Sequence, residues 1–289
     1  MEEKKDNQIH HVSDTAYWIA AYRAEETERT DSLFNDPLAA LLIGSHGTSL
    51  ARRTQGSRYT AWSVVIRTFI IDKFINSILD KNIDTVINLG AGLDTRPYRL
   101  NLNSNLKWIE IDFKNVIEQK NAILKDQIAK CHLERLPLDL SNEKSRNAFF
   151  EKVANSSKNV LILSEGVIPY LSNEEAESLA SSLATYPQFK FWITEYYSPE
   201  ILDFLRTPKR VKQMKNAPFK FYPNNWFNFF KNLGWDNCET CYFGVESEKI
   251  GRTPPTPGWL KNADEKTKEA VKYFLGYSIY QNSKSNEKV

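Results

Sequence analysis

Two glycines and two aspartates are the first residues whose spacing suggests chemistry. In VINLGAGLDT (residues 86–95) an apolar run meets Gly90-Ala91-Gly92, and Asp94 follows two positions later. Glycine in such a turn adopts positive φ and lets a ligand approach the backbone closely. A helix opening just beyond offers free N–H groups. Strand, glycine turn and helix in that order suit a nucleotide-like ligand. Asp112 closes the next apolar run, WIEID, where a carboxylate can accept both hydroxyls of a ribose.

Two ligand classes share this pattern. A dinucleotide fingerprint wants G-x-G-x-x-G, and its third glycine position here is Thr95. S-adenosylmethionine has no pyrophosphate to cradle and tolerates fewer glycines. Asp94 would repel a pyrophosphate and attract an ammonium or sulfonium. The residues therefore favour S-adenosylmethionine, with an ordinary strand–helix turn as the plain alternative.

These residues need elements to hold them. From residue 83 short apolar runs alternate with helical patterns: IDTVINL, LKWIEID, HLERLPLDL, NVLILSEG and FKFWITE are the runs. Helices are expected from Phe113 to Lys130, near 142–154, and after the capping box Ser172…Glu175. The alternation predicts an α/β fold with a mostly parallel sheet and helices on both faces. The runs read as apolar throughout, as buried parallel strands should. Before them lie helices. Ser13 or Asp14 can cap one carrying Ala16, Ile19, Ala20 and Ala24; Asp36, Pro37 and Gly44 cap, open and close a second; Tyr59 to Leu79 form a long third. After Glu195 the alternation stops. Residues 196–233 read as helical and aromatic, with Pro199 at a helix start and Gly234 at a helix end. GWDNCETCYFGVE is a further strand, GRTPPTPGW a loop too proline-dense for an element interior, and VKYFLGYSIYQ a last strand with a helical beginning. The expected organisation is a single domain: a helical cap (1–80), a cofactor-binding core (81–195), and an insertion with the final strands (196–289). Residues 1–12 and the tail NSKSNEKV are polar and expected to fray.

Composition removes several function classes. The chain has 289 residues, 41% of them hydrophobic, so it can bury a sizeable core. With 38 basic against 36 acidic side chains it carries no electrostatic footprint for nucleic acid. No apolar run approaches the roughly 20 residues of a membrane span, and MEEKKDNQIHH has no apolar leader core. Three cysteines make no disulfide framework, and a cytoplasmic setting is expected. Cys238 and Cys241 lack the further ligands a zinc site needs, and on a strand they point to opposite faces. His10, His11, His46 and His132 form no diagnostic pair, and no nucleophile–base–acid order suggests a hydrolase.

The blocks VSDTAYWIAAYRAEETERTDSLFNDPLAALLIG, INLGAGLDTRPYRL, WIEIDFKNVIEQK, LDLS and ILSEGVIPYLSNEE together resemble the leucine carboxyl methyltransferase-like family. That family includes actinobacterial methyltransferases and O-methyltransferases of polyketide biosynthesis. The resemblance runs over roughly residues 12–245. It implies a class I methyltransferase fold, Rossmann-like, with a helical cap, and S-adenosyl-L-methionine as cofactor. By the same resemblance Arg67 would pair with the methionine carboxylate, Gly90 and Gly92 would line the cofactor, and Asp112 would hold the ribose. Asp139 and Leu140 would meet the adenine through carboxylate and backbone N–H, and Glu165 would face the methionine end. Each has a plain alternative: a solvated helix charge for Arg67, a helix cap for Asp139. The family places a basic residue on the first cap helix. Here Ile19 stands there, with Arg23 one turn on, which weakens the transfer of a protein-phosphatase substrate.

The expected activity is S-adenosylmethionine-dependent O-methyl transfer to a small molecule, with no nucleic-acid or membrane partner and the oligomeric state left open. No general base is assignable, Tyr170 being the one weak catalytic candidate, so a carboxylate acceptor is favoured over a hydroxyl. A protein C-terminal carboxylate as substrate, a non-catalytic S-adenosylmethionine-binding protein, and a nicotinamide oxidoreductase are the alternatives. The substrate wall is expected from the cap and from Tyr196, Tyr197, Phe204 and Trp226 of the insertion.

Overall fold

The computed structural model describes residues 12–44, 58–213, 217–256 and 258–286. Strands β1 (Thr85–Leu89), β2 (Lys107–Asp112), β3 (His132–Pro137), β4 (Val160–Ser164) and β5 (Phe189–Tyr197) are parallel. β6 (Trp235–Tyr242) and β7 (Leu275–Asn282) follow, with β7 antiparallel to both β5 and β6. The seven form one sheet in the order β3-β2-β1-β4-β5-β7-β6. Every residue of β1 and β4 is buried, as strands covered on both faces require. β3 departs from the expected apolar run. Its HLERLP is partly exposed throughout, because it is an edge strand with only one neighbour.

Helices α1 (Val12–Thr27), α2 (residues 37–44) and α3 (Arg58–Leu79) precede the sheet. α3 lays Ile66, Ile70, Phe74 and Ile78 against Val86, Trp108, Leu161 and Ile279. A four-residue turn, α4 (Arg96–Arg99), follows the glycine loop, and α5 (Lys114–Ile123) follows β2. The opposite sheet face is covered by α6 (Glu143–Ser156) and α7 (Asn173–Ala184), whose Phe150, Val153, Leu179 and Leu183 pack with Trp192 and Trp235. The insertion supplies α8 (Pro199–Leu205), α9 (Pro208–Gln213) and α10 (Trp226–Asn232).

Several boundaries differ from those read in the sequence. α1 is already helical at Val12, so Ser13 and Asp14 lie inside it and its cap falls outside the described residues. Asp36 does cap α2, its Oδ1 accepting from Ala39 N–H at 3.1 Å. α5 stops at Ile123 instead of reaching Lys130. Leu124 is drawn into a cluster with Ala20, Leu42 and Leu93, and Lys130 N–H donates to the Pro97 carbonyl at 2.9 Å, turning the chain toward β3. The Ser172–Glu175 capping box is present. On β6 Cys238 is exposed and Cys241 buried. The polar ends, residues 1–11 and 287–289, lie outside the described residues, as do His10, His11 and His46. Among the described residues no helix is long and apolar enough to cross a membrane.

Candidate active site

A cavity of about 540 Å³ opens where the five parallel strands end. Parallel strands deliver their carboxyl ends to one edge, and the neighbours of β1 diverge there toward β2 and β4. Arg67, Gly90, Gly92, Asp112, Asp139, Leu140, Glu165 and Tyr170 all line this cavity.

The glycine loop has the conformation its residues permit. Gly90 has φ 65° and Gly92 φ 47°, a region that L side chains rarely occupy. A Cβ on Gly90 would come within 2.7 Å of Val167 Cγ2. Gly92 N–H donates to Asp112 Oδ2 and Phe113 N–H to Asp112 Oδ1, each at 2.7 Å. Burial raises the Asp112 carboxyl pKa, and these two donors only partly oppose it. A carboxylate has about four lone-pair sites, so two remain for a ligand.

The helix expected after this loop is only the single turn α4, and its first N–H is already taken: Arg96 N–H donates to Asp94 Oδ1 at 3.0 Å. Nor is Asp94 a free negative charge beside the turn. Its Oδ2 also accepts from Asn88 Nδ2 at 2.8 Å and from Arg96 Nη1 at 3.1 Å. Burial alone would raise its pKa; the surrounding cations, Arg96 first and then Lys120, Arg99 and Arg23, hold it well below the usual carboxylate range.

Arg96 is the hub of a buried ionic network that sequence reading missed. It is 2% exposed. Its Nε donates to Asp72 at 2.7 Å and its Nη1 to Glu165 at 2.8 Å. Arg99 donates to both oxygens of Asp72, and Arg23 pairs with Asp36 at 2.8 Å. Arg67 Nε lies 2.8 Å from Glu165 Oε1, off hydrogen-bond direction, so the contact is an ion pair. Four guanidinium groups (Arg23, Arg67, Arg96, Arg99) thus meet four carboxylates (Asp36, Asp72, Asp94, Glu165). Burial would raise the Glu165 pKa, but Arg96 and Arg67 keep it below the usual value. Glu165 therefore faces the cavity ionised and already neutralised. Burial works against the charge on Arg67, and Glu165 together with Tyr277, Tyr197 and Glu195 more than offsets it. Among the described residues neither Nη of Arg67 has a hydrogen-bond partner. The clue available in the sequence was DTRPYR itself, an aspartate with arginines two and five positions on.

Past β3, Asp139 Oδ1 accepts from Ser141 N–H at 2.9 Å and Ser141 Oγ at 2.7 Å. It does not cap α6. Asn142 does, accepting from Ser145 N–H at 3.0 Å. Among the described residues Asp139 Oδ2 and the Leu140 N–H have no protein partner.

Glu195 also escaped sequence reading. Its Oε1 accepts from the N–H groups of Gly166 and Val167, and its Oε2 accepts from Thr194 Oγ1 at 2.8 Å. Ser164 Oγ donates to Thr194 and accepts from Trp192 Nε1. This chain fixes the turn that presents Glu165. Tyr170 follows on a short 3₁₀ turn, Ile168–Tyr170. Burial raises its phenol pKa, as it does that of Tyr197, so both hydroxyls keep their protons near neutral pH. His132 is exposed on β3, 3.5 Å from Glu134 and absent from the cavity lining.

Of the four aromatic residues expected in the substrate wall only Tyr197 lines the cavity. Tyr196 points to the other side of β5, as alternate strand residues must, and stacks on Phe227. Trp226 is buried in the core, and Phe204 lies on the surface beneath Arg210. Phe219 and Lys220 complete the wall instead. Ile19 and Arg23 of α1 also reach the cavity, but Arg23 is committed to Asp36 and to the Leu93 carbonyl at 2.6 Å.

The leucine carboxyl methyltransferase family model matches residues 16–184. A candidate S-adenosyl-L-methionine-dependent methyltransferase of Frankia alni is 30% identical over 252 residues, 84% of this chain and 90% of the relative. One from Mycobacterium tuberculosis is 29% identical over 184 residues, 58% of this chain and 59% of the relative, so the match spans less than two thirds of that protein. Among solved structures, a candidate methyltransferase from Thermobifida fusca superposes with TM-score 0.58 at 10% identity, covering 96% of each chain. A DUF574-family protein from Streptomyces avermitilis gives 0.56 at 10% identity, covering 91% of this chain and 96% of that one. At such identity these likenesses speak for the fold alone.

Proposed function

The chain belongs to the leucine carboxyl methyltransferase family, and from that premise we propose that it is an S-adenosylmethionine-dependent O-methyltransferase whose acceptor is a small-molecule carboxylate. The residues present suit the cofactor. Gly90 and Gly92 give a loop without side chains, tight enough at Gly90 that a Cβ would strike Val167. Asp112 would hold the ribose, and Asp139 Oδ2 with the Leu140 N–H would meet the adenine. The two Nη groups of Arg67, without a hydrogen-bond partner among the described residues, would take the amino-acid carboxylate. When bound, S-adenosylmethionine supplies a sulfonium methyl group: a carboxylate oxygen forms the new C–O bond as the S–CH₃ bond breaks, its electron pair stays on sulfur, and both charges disappear with no proton moved.

One observation carries the choice of acceptor: among the described residues, the tyrosines and carboxylates that line the cavity outside the proposed cofactor contacts are each protonated or already engaged, Glu175 by its capping box, where it accepts from Ser172 N–H at 2.7 Å. Tyr170 and Tyr197 hold theirs more firmly than ordinary phenols. Glu165 and Asp94 are held ionised by arginines, which makes them weak bases. A carboxylate, with a reference pKa of about 4, arrives already ionised, whereas a phenol near 10 needs a base. The protein's part is to orient the acceptor and exclude water. Methylation of a carboxylate should give an ester that mild alkali cleaves to methanol, with kcat nearly flat from about pH 6 to 8. An alkali-stable ether, with kcat rising about tenfold per pH unit over that range, would refute the carboxylate acceptor.

A further inference from the structure

Phe219 and Lys220 line the cavity although no strand end carries them. Backbone hydrogen bonds pin their segment to the one that follows β4. Lys220 and Phe221 N–H donate to the Pro169 carbonyl at 2.8 and 3.3 Å, and Tyr222 N–H donates to Asn173 Oδ1 at 2.9 Å. Asn173 Nδ2 returns a bond to the Tyr222 carbonyl. The segment is therefore a fixed wall next to Tyr170. The Tyr170 and Phe219 ring centroids are 5.1 Å apart, and Phe219 meets Tyr197 edge-on at 6.1 Å.

Lys220 is exposed and, among the described residues, makes no ion pair. The other cations lining the cavity, Arg23 and Arg67, are both tied to carboxylates. The sequence around Lys220 is also one-signed: residues 204–222 contain Arg206, Lys209, Arg210, Lys212, Lys215 and Lys220, and no aspartate or glutamate.

Building on the methyl-transfer reading, we propose that Lys220 and the Tyr170–Phe219–Tyr197 wall select the acceptor, and that the acceptor class is a monocarboxylate with a planar aromatic body. An aromatic body packs offset or edge-on against the three rings. The ammonium holds one carboxylate oxygen and leaves the other free to attack. The product ester has lost its charge, so Lys220 holds it less well than the acid and product leaves.

Calorimetry on the protein saturated with S-adenosylhomocysteine tests this. The probes are benzoate, trans-cinnamate and indole-3-acetate, each beside its neutral amide, on wild type, Lys220→Ala and Lys220→Arg. At least one acid should bind wild type about fivefold tighter than its amide, a modest ratio because Lys220 is solvated. Lys220→Ala should abolish the preference and Lys220→Arg retain it. Raising salt to about 300 mM should weaken the acid and not the amide. Lys220→Ala should keep its affinity for S-adenosylhomocysteine; a clear loss would place Lys220 on the cofactor and overturn the assignment. Equal binding of acid and amide, a preference that survives in Lys220→Ala, or no binding by any of the three acids would also overturn it. Failure of S-adenosylhomocysteine to bind wild type, read before any acid is added, would instead remove the cofactor reading underneath.

Discussion

Replacing Arg96 with methionine tests whether buried charge holds the cavity floor together. Methionine fills much of the same space without the charge. The guanidinium it removes meets Asp72 at 2.7 Å, Glu165 at 2.8 Å and Asp94 at 3.1 Å. Breaking a buried pair by deleting one partner costs about 3–5 kcal/mol. Each acid keeps at least one partner: Arg99 for Asp72, Arg67 for Glu165, and for Asp94 both Asn88 and the backbone N–H of residue 96. The lower end, about 3 kcal/mol at pH 7, is therefore expected, a large part of a typical stability of about 5–15 kcal/mol. The pH dependence separates charge from packing. In the wild type the arginines hold Asp94 and Glu165 below their ordinary values. Their contribution is complete above the unfolded pKa of about 4 and is lost as pH falls through the lower folded values. In the variant burial dominates and both pKa values rise, so the deficit should shrink between pH 7 and about pH 5 as these acids take up protons. Urea unfolding followed by tryptophan fluorescence at the two pH values reads both numbers. A deficit equal at both would mean lost packing alone. One below about 0.5 kcal/mol at pH 7, the size of an ordinary surface substitution, would refute the buried-charge reasoning.

Three further outcomes follow from the same site. Asp112→Asn should weaken S-adenosylhomocysteine binding about ten- to a hundredfold, the worth of a charged hydrogen-bond acceptor; unchanged calorimetric affinity in a folded variant takes Asp112 out of the ribose site. Arg67→Ala should cost more affinity for S-adenosylhomocysteine than for 5′-methylthioadenosine, which lacks the amino-acid carboxylate, and equal losses would mean that Arg67 acts through the fold. Gly90→Ala combines a φ of 65° with a Cβ 2.7 Å from Val167 Cγ2 and should lose about 1–3 kcal/mol of stability. Adding Val167→Ala should relieve the clash but not the backbone strain, so complete recovery in thermal unfolding would contradict the strain.

The alternation of apolar runs with helical patterns was enough to read the parallel sheet, because strand burial and helix caps depend on near neighbours in the chain. Asp36 and the Ser172–Glu175 box cap where the local sequence says they should. The gathering of Gly90 and Asp112 at one cavity was legible for a related reason: each ends or follows a parallel strand, and parallel strands end on the same edge; Asp139 and Glu165 were expected there from the family resemblance. Partners chosen across the fold were not legible. Arg96 draws its acids from positions 72, 94 and 165, and only the way α3 rolls onto the sheet decides that Asp72 faces it. Asp94 reads as a free charge until the folded chain puts a guanidinium against it. Tyr196 and Tyr197 are equivalent in composition, and only the pleat of β5 sends one to the cavity and the other to the core. Phe219 and Lys220 reach the site because Pro169 and Asn173, about 50 residues earlier, hold their backbone. Such pairings depend on the packing of whole elements, which no window of neighbouring residues contains.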